Sequence, residues 1–123
     1  MNNKPKYTLF KNASYAIDGF VHAIKTETSF KLEVAIAFII LPLIYFLPFE
    51  LIYKLVLVIT YFIIMIAELL NSAVENVVDL VTTDIHPLAK AAKDIGATAV
   101  LFSVVLHIVC WGLIGVDYFS SLG

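Results

Sequence analysis

An all-α membrane protein is the fold class this sequence predicts, as an amphipathic surface helix followed by three transmembrane helices in a single domain. Three observations carry that reading. Hydrophobic residues make up 61% of the 123 residues and charged ones only 15%, with a mean hydropathy of +0.94; soluble domains sit nearer ~45–50% apolar and ~25% charged. Three apolar stretches reach or approach the ~20 residues that a helix rising ~1.5 Å per residue needs to cross a bilayer. The lysines are distributed unevenly about those stretches, as positive charges are about membrane spans. A buried three-helix soluble core would need polar outer faces, which these stretches lack.

The first element is expected over residues 7–28. In "YTLFKNASYAIDGFVHAIKTETSFKLE", Phe10, Ile17, Phe20, Val21 and Ile24 recur at three-, four- and seven-residue spacings among Lys11, Asp18, His22 and Lys25. That rhythm suits a helix lying in a membrane interface, with a break near Thr28-Ser29. The polar residues that interrupt this zone argue against a cleaved signal peptide, so the chain is expected to keep its N-terminus. The first span follows at 32–49, with Pro42 as a tolerated kink. The second runs 51–70, with a cytoplasmic extension to 81, and the third 96–117.

Lys4, Lys6, Lys11, Lys25 and Lys31 precede the first span, and Lys90 and Lys93 lie between the second and third. Lys54 alone lies in the short connection after the first span, and no basic residue follows the third. The rule that positive charge stays inside therefore predicts a cytoplasmic N-terminus and an external C-terminus. No basic run interleaved with aromatics points to nucleic acid. Cys110, the single cysteine, reads as a buried thiol, and His107 as a mid-span helix-to-helix hydrogen bond.

Within "AELLNSAVENVVD", Glu68, Asn71, Glu75 and Asp79 are spaced by three, four and four. At ~100° per residue they share one helical stripe. Counted from Leu51, Glu68 lies roughly 25 Å deep, near the cytoplasmic edge of a ~30 Å hydrocarbon core. One stripe thus runs from just inside the membrane into water. Pro87 then starts or interrupts a helix carrying Lys90, Lys93 and Asp94, and Gly96, Ala97 and Ala99 permit close helix approach. Acids that hold Mg²⁺ become a phosphate receptor, and a lysine adds a point charge for phosphate oxygens. A partly desolvated glutamate beside them suits proton abstraction from a hydroxyl. Together these describe phosphoryl transfer from a nucleotide to a lipid hydroxyl. Neither GxxxxGK[ST] nor GxGxxG occurs among the five glycines.

"AELLNSAVENVVD" followed by "HPLAKAAKDIGATAV" resembles the signature of the small integral-membrane diacylglycerol kinases of bacteria, and the likeness extends from "ASYAIDGF" through "ETSFKLE" to the third span. The resemblance implies a homotrimeric helical bundle with composite sites in the bacterial cytoplasmic membrane, using ATP with Mg²⁺. Glu68 would be the base on the lipid hydroxyl, oriented by Asn71, and Glu27 and Glu75 would hold Mg²⁺ on the ATP phosphates. Tyr15, Asp79, Asp84, His86, Lys93 and Asp94 would line the nucleotide site, and Phe30, Lys31, Glu33 and Ala97 the lipid site. Some members carry an N-terminal arginine where this chain has Thr8; with no arginine anywhere, Lys6 or Lys11 would have to substitute. A related branch phosphorylates undecaprenol. "ETSFKLE" looks more like the diacylglycerol branch and "HPLAKAAKD" more like the other, with the balance toward diacylglycerol. Two different classes remain: a small proton-coupled transporter or channel, whose acid belongs near the bilayer midplane, and an assembly subunit whose charges only pair helices.

Overall fold

A computed structural model describes residues 8–123, which form four helices and no strand among the described residues: α1 (Leu9–Thr26), α2 (Thr28–Phe46), α3 (Leu51–Val81) and α4 (Pro87–Leu122). Tyr7, where the first helix was expected to start, and Lys4 and Lys6 lie outside the described residues. Three of the helices, α2, α3 and α4, are long and apolar enough to cross a membrane.

Local chemistry sets each boundary. The Thr8 hydroxyl caps α1 by accepting from the Lys11 N–H at 3.1 Å. The helix stops at Glu27, one residue before the expected break, whose extended backbone (φ −105°, ψ 102°) separates α1 from α2. α2 therefore begins at Thr28, earlier than the apolar run, and carries Pro42 inside it. It ends at Phe46, since Leu47 is held extended before Pro48. Lys54 Nζ donates to the Tyr45 carbonyl at 2.6 Å, satisfying one of the acceptors that a helix end leaves open. α3 is continuous for 31 residues, roughly 46 Å, so it outruns a ~30 Å core. α4 begins at Pro87 rather than near 96: His86 caps it, its Nδ1 accepting from the Leu88 N–H at 3.1 Å, and proline fits the first position.

α3 is the central helix, packed on α2 and α4, and α1 packs on α2. The apolar contacts are narrow. One cluster joins Ala37, Tyr61 and Ile64, a second Ile44, Leu57 and Ile114. Phe38, Ile39, Phe62, Leu101, Phe102 and Leu113 are among many large apolar side chains left facing outward. Such a surface suits lipid, not water.

Polar links join the helices between these clusters. The Trp111 indole N–H donates to His107 Nε2 at 2.9 Å, and His107 Nδ1 lies 2.7 Å from Thr60 Oγ1. Indole only donates, so Nε2 accepts and Nδ1 carries the ring proton. Nδ1 then donates to Thr60, whose hydroxyl passes its hydrogen to the Val56 carbonyl at 2.9 Å. Every member of this buried chain is satisfied. The Tyr61 hydroxyl donates to the Glu33 carbonyl, joining α3 to α2, and the Tyr53 hydroxyl to Asp117, joining α3 to α4.

His107→Ala leaves the indole N–H without an acceptor and the Thr60 oxygen without its donor, and is expected to cost about 1–3 kcal/mol in reversible unfolding of the protein in micelles. His107→Gln, which can both accept and donate, should cost less. Trp111 is the single tryptophan, so its fluorescence reports the change directly; emission unaltered in His107→Ala would refute the chain.

Candidate active site

The acid stripe lies between neighbours on both sides of α3: Glu68 is beside α2, whereas Asn71 and Asp79 meet α4. Glu68, Asn71 and Ser72 are buried, each no more than 8% exposed; Glu75 is half-buried and Asp79 exposed. Glu33 and Glu68 lie beside one another across the α2–α3 contact, with Ser29 also near Glu68. An ionised carboxylate only accepts, so this proximity calls for a proton or a cation between them. Oε2 of Glu33 is buried without a hydrogen-bond partner. Glu75 and Glu27 lie close enough for their charges to act on Glu68. Glu27, Glu33 and Glu75 thus form the charged surroundings of Glu68.

Glu27 reaches that place for two reasons. It is the one non-helical residue between α1 and α2, so its backbone turns where the two helices part company. Its Oε1 also accepts from Asn76 Nδ2 of α3 at 3.4 Å. Asn71, expected to orient Glu68, instead donates from Nδ2 to Glu75 Oε1 at 3.1 Å. Its own Oδ1 is buried without a partner against Gly96 of α4. A Cβ at position 96 would stand 3.3 Å from Asn71 Cγ and closer to Oδ1, so the absent side chain is what admits the amide.

A second group of expected residues surrounds an open cleft of about 350 Å³ where α3 ends, the chain turns and α4 begins. Asp79, Asp84, His86, Lys93 and Asp94 line it, together with Thr82 and Lys90. Lys93 Nζ pairs with Asp79 Oδ1 at 2.6 Å, tying α4 to α3. The Thr82 hydroxyl accepts from the Asp84 N–H at 3.0 Å and shapes the turn. Lys90 pairs with Asp94 at 2.6 Å along α4.

Other expected residues stand apart from both groups. Tyr15 is exposed on α1, Lys31 on α2 and Ala97 on α4. Phe30 is only 2% exposed, its ring edge-on to Phe20 with centroids 5.7 Å apart, so it pins α1 to α2. Thr8, where the resemblance leads to an arginine being expected, serves as the α1 cap. Sequence reasoning missed Ser29, Asn76, Thr82 and the cleft position of Lys90. Asn76 carried a signal of a kind, since it follows Glu75 directly and so lies one step round the helix from the stripe.

Among the described residues no three His, Cys, Asp or Glu side chains gather as a ready-made metal cage. Glu27 and Glu75 offer two carboxylates, and Mg²⁺ takes just one or two of these, filling its remaining positions with water and substrate phosphates. The donor set fits.

A small all-helical protein with three membrane-length helices and a buried glutamate among partly buried acids is the class these features define. The family model for prokaryotic diacylglycerol kinase matches residues 14–115. The chain is 36% identical to the diacylglycerol kinase of Haemophilus influenzae over 104 residues, covering 85% of this chain and 88% of that one. It is 30% identical to the diacylglycerol kinase of Escherichia coli over 120 residues, covering 97% and 98%. The corresponding Helicobacter pylori enzyme is 34% identical over 104 residues, covering 85% and 81%. The chain belongs to the prokaryotic diacylglycerol kinase family.

Gly96→Ala should push the Asn71 amide off Glu75 and cost about 1–3 kcal/mol in unfolding measured in micelles. Combined with Asn71→Ala, it should cost less than the two changes separately. Strict additivity of the pair would show that the amide does not need the missing Cβ.

Proposed function

We propose that this chain is an ATP- and Mg²⁺-dependent lipid kinase that phosphorylates the free hydroxyl of diacylglycerol to give phosphatidic acid at the cytoplasmic face of a bacterial inner membrane. The observation that carries the reading is the buried Glu68, ringed by Glu27, Glu33 and Glu75, in a chain of this family.

Glu68 takes the proton of the lipid hydroxyl while that oxygen bonds to the γ-phosphorus of ATP. The bond from γ-phosphorus to the β,γ-bridging oxygen breaks, and ADP leaves with the electron pair. Glu33 faces Glu68 and holds the position where a headgroup hydroxyl would enter. Asn71 fixes Glu75 by its amide, and Asn76 fixes Glu27, so two carboxylates are pre-oriented before any nucleotide arrives. Bound between them, Mg²⁺ would neutralise the polyphosphate and orient its terminal phosphate. Asp79, Asp84, His86, Lys93 and Asp94 receive the nucleotide in the cleft, and Tyr15 completes that site from the surface helix. Phe30, Lys31, Glu33 and Ala97 lie along the lipid's approach.

The outward apolar faces of α2, α3 and α4 are covered by lipid and by two further copies of the chain, giving a homotrimer whose sites are shared between subunits. α1 lies on the cytoplasmic surface, with the C-terminus outside. A transporter is the weaker reading, because Glu68, roughly 25 Å from Leu51, lies near the far edge of a ~30 Å hydrocarbon core and not at its middle.

Purified protein in mixed micelles should transfer phosphate from ATP to dioleoylglycerol faster than to undecaprenol, and a chelator should abolish the transfer. Glu68→Gln should lower turnover at least ~100-fold, the lower range for loss of a general base. Faster labelling of undecaprenol would keep the chemistry and change the acceptor. Labelling of neither lipid by folded protein would end the kinase reading.

A further inference from the structure

The cleft at the α3–α4 turn holds one cation that the proposed nucleotide site does not use. Lys90 and Lys93 are three residues apart, hence neighbours on one face of α4, and both line the cleft. Their present partners differ in kind. Lys93 is held by Asp79 across two helices, its side chain 42% exposed. Lys90 is held by Asp94 on its own helix, with the two side chains 75% and 62% exposed. An exposed pair one helical turn apart is among the weakest ion pairs in proteins, being solvated and screened. Lys90 is therefore the cation that can change partner with least loss.

Charge and geometry give the new partner. Three aspartates, Asp79, Asp84 and Asp94, line the cleft against the two lysines, leaving it one negative charge in excess. No arginine exists in the chain to offset an incoming polyphosphate. The first turn of α4 opens onto the same space: Pro87 has no N–H and the Leu88 N–H is taken by His86, while Ala89 lines the cleft. A helix start of this kind carries partial positive charge toward an anion. Without Lys90 the cleft would hold two excess negative charges beside that helix start.

We propose that Lys90 is a second phosphate-binding residue of the nucleotide site, leaving Asp94 to bind the polyphosphate beside Lys93. The proposal rests on the kinase reading for the identity of the ligand. Released from Lys90, Asp94 becomes free to accept a hydrogen bond from the nucleotide. The Lys90–Asp94 ion pair thus holds the place of a phosphate oxygen.

Displacement of a fluorescent ATP analogue from the full-length protein in micelles tests this, alongside KM for ATP and kcat with dioleoylglycerol. Removing one screened unit-charge contact corresponds to about a five- to tenfold loss of affinity, so Lys90→Gln should raise both Kd and KM for ATP by that factor. The change should fall on KM rather than kcat, and Lys90→Arg should restore it. Unchanged Kd and KM in Lys90→Gln would overturn the proposal, as would a loss confined to kcat, and both leave the kinase reading intact. Weaker ATP binding in Lys90→Gln, together with an unsubstituted protein that labels no lipid, would support the phosphate contact while overturning the kinase.

Discussion

In a hydrocarbon solvent, apolar contact between helices gains little, because lipid tails are as apolar as the side chains they replace. That constraint decides how this protein holds together. Its apolar clusters are two narrow seams along α3, and most of its large apolar side chains face outward. The links between helices are polar: the Trp111–His107–Thr60 chain, Tyr61 on the Glu33 carbonyl, Tyr53 on Asp117, and Lys93 on Asp79. Those within the hydrocarbon give a group that lipid could not satisfy a fixed partner instead, and all of them fix the relative rotation of the helices.

The active-site region follows from the same constraint. Carboxylates withdrawn from water are costly unless something meets them; here the buried Glu68 lies beside Glu33, and the half-buried Glu75 and Glu27 accept from the amides of Asn71 and Asn76. An arrangement of this kind is poorly matched to itself and well matched to a cation and a hydroxyl proton. The Tyr61 link holds the α2 backbone at Glu33, and the Gly96 contact holds the Asn71 amide. Residues without any reaction chemistry therefore set where the reacting ones lie.

Much of this was legible in the sequence. Length and apolarity located the three long helices, and the three-four-four spacing placed Glu68, Asn71, Glu75 and Asp79 on one stripe. Element ends were less legible. α4 starts at Pro87, well before its apolar run, because its first turns are the polar "AKAAKD" and hydropathy passes over them; the His86–Pro87 cap marked the true start. The position of Glu27 could not be read from spacing, since it depends on a one-residue break and on Asn76, 49 residues away. The partners of His107 were illegible for the same reason: Thr60 is 47 residues distant in sequence. Lys90 entered the sequence reading through its charge, as a marker of orientation, and that charge gave no sign of the cleft beneath it.

α3 contains neither glycine nor proline over its 31 residues. It is an unbroken rod, and so it works as a ruler as well as a scaffold. One residue inserted between Ile59 and Glu68 would advance the stripe by ~1.5 Å and turn it by ~100°, away from Glu33. Four inserted residues would bring it back to nearly the same azimuth but ~6 Å further along the membrane normal. Phase and depth cannot both be recovered by any short insertion. The segment can tolerate exchange of its side chains far better than any change in its number of residues, and the depth at which a lipid headgroup is met is written into its length.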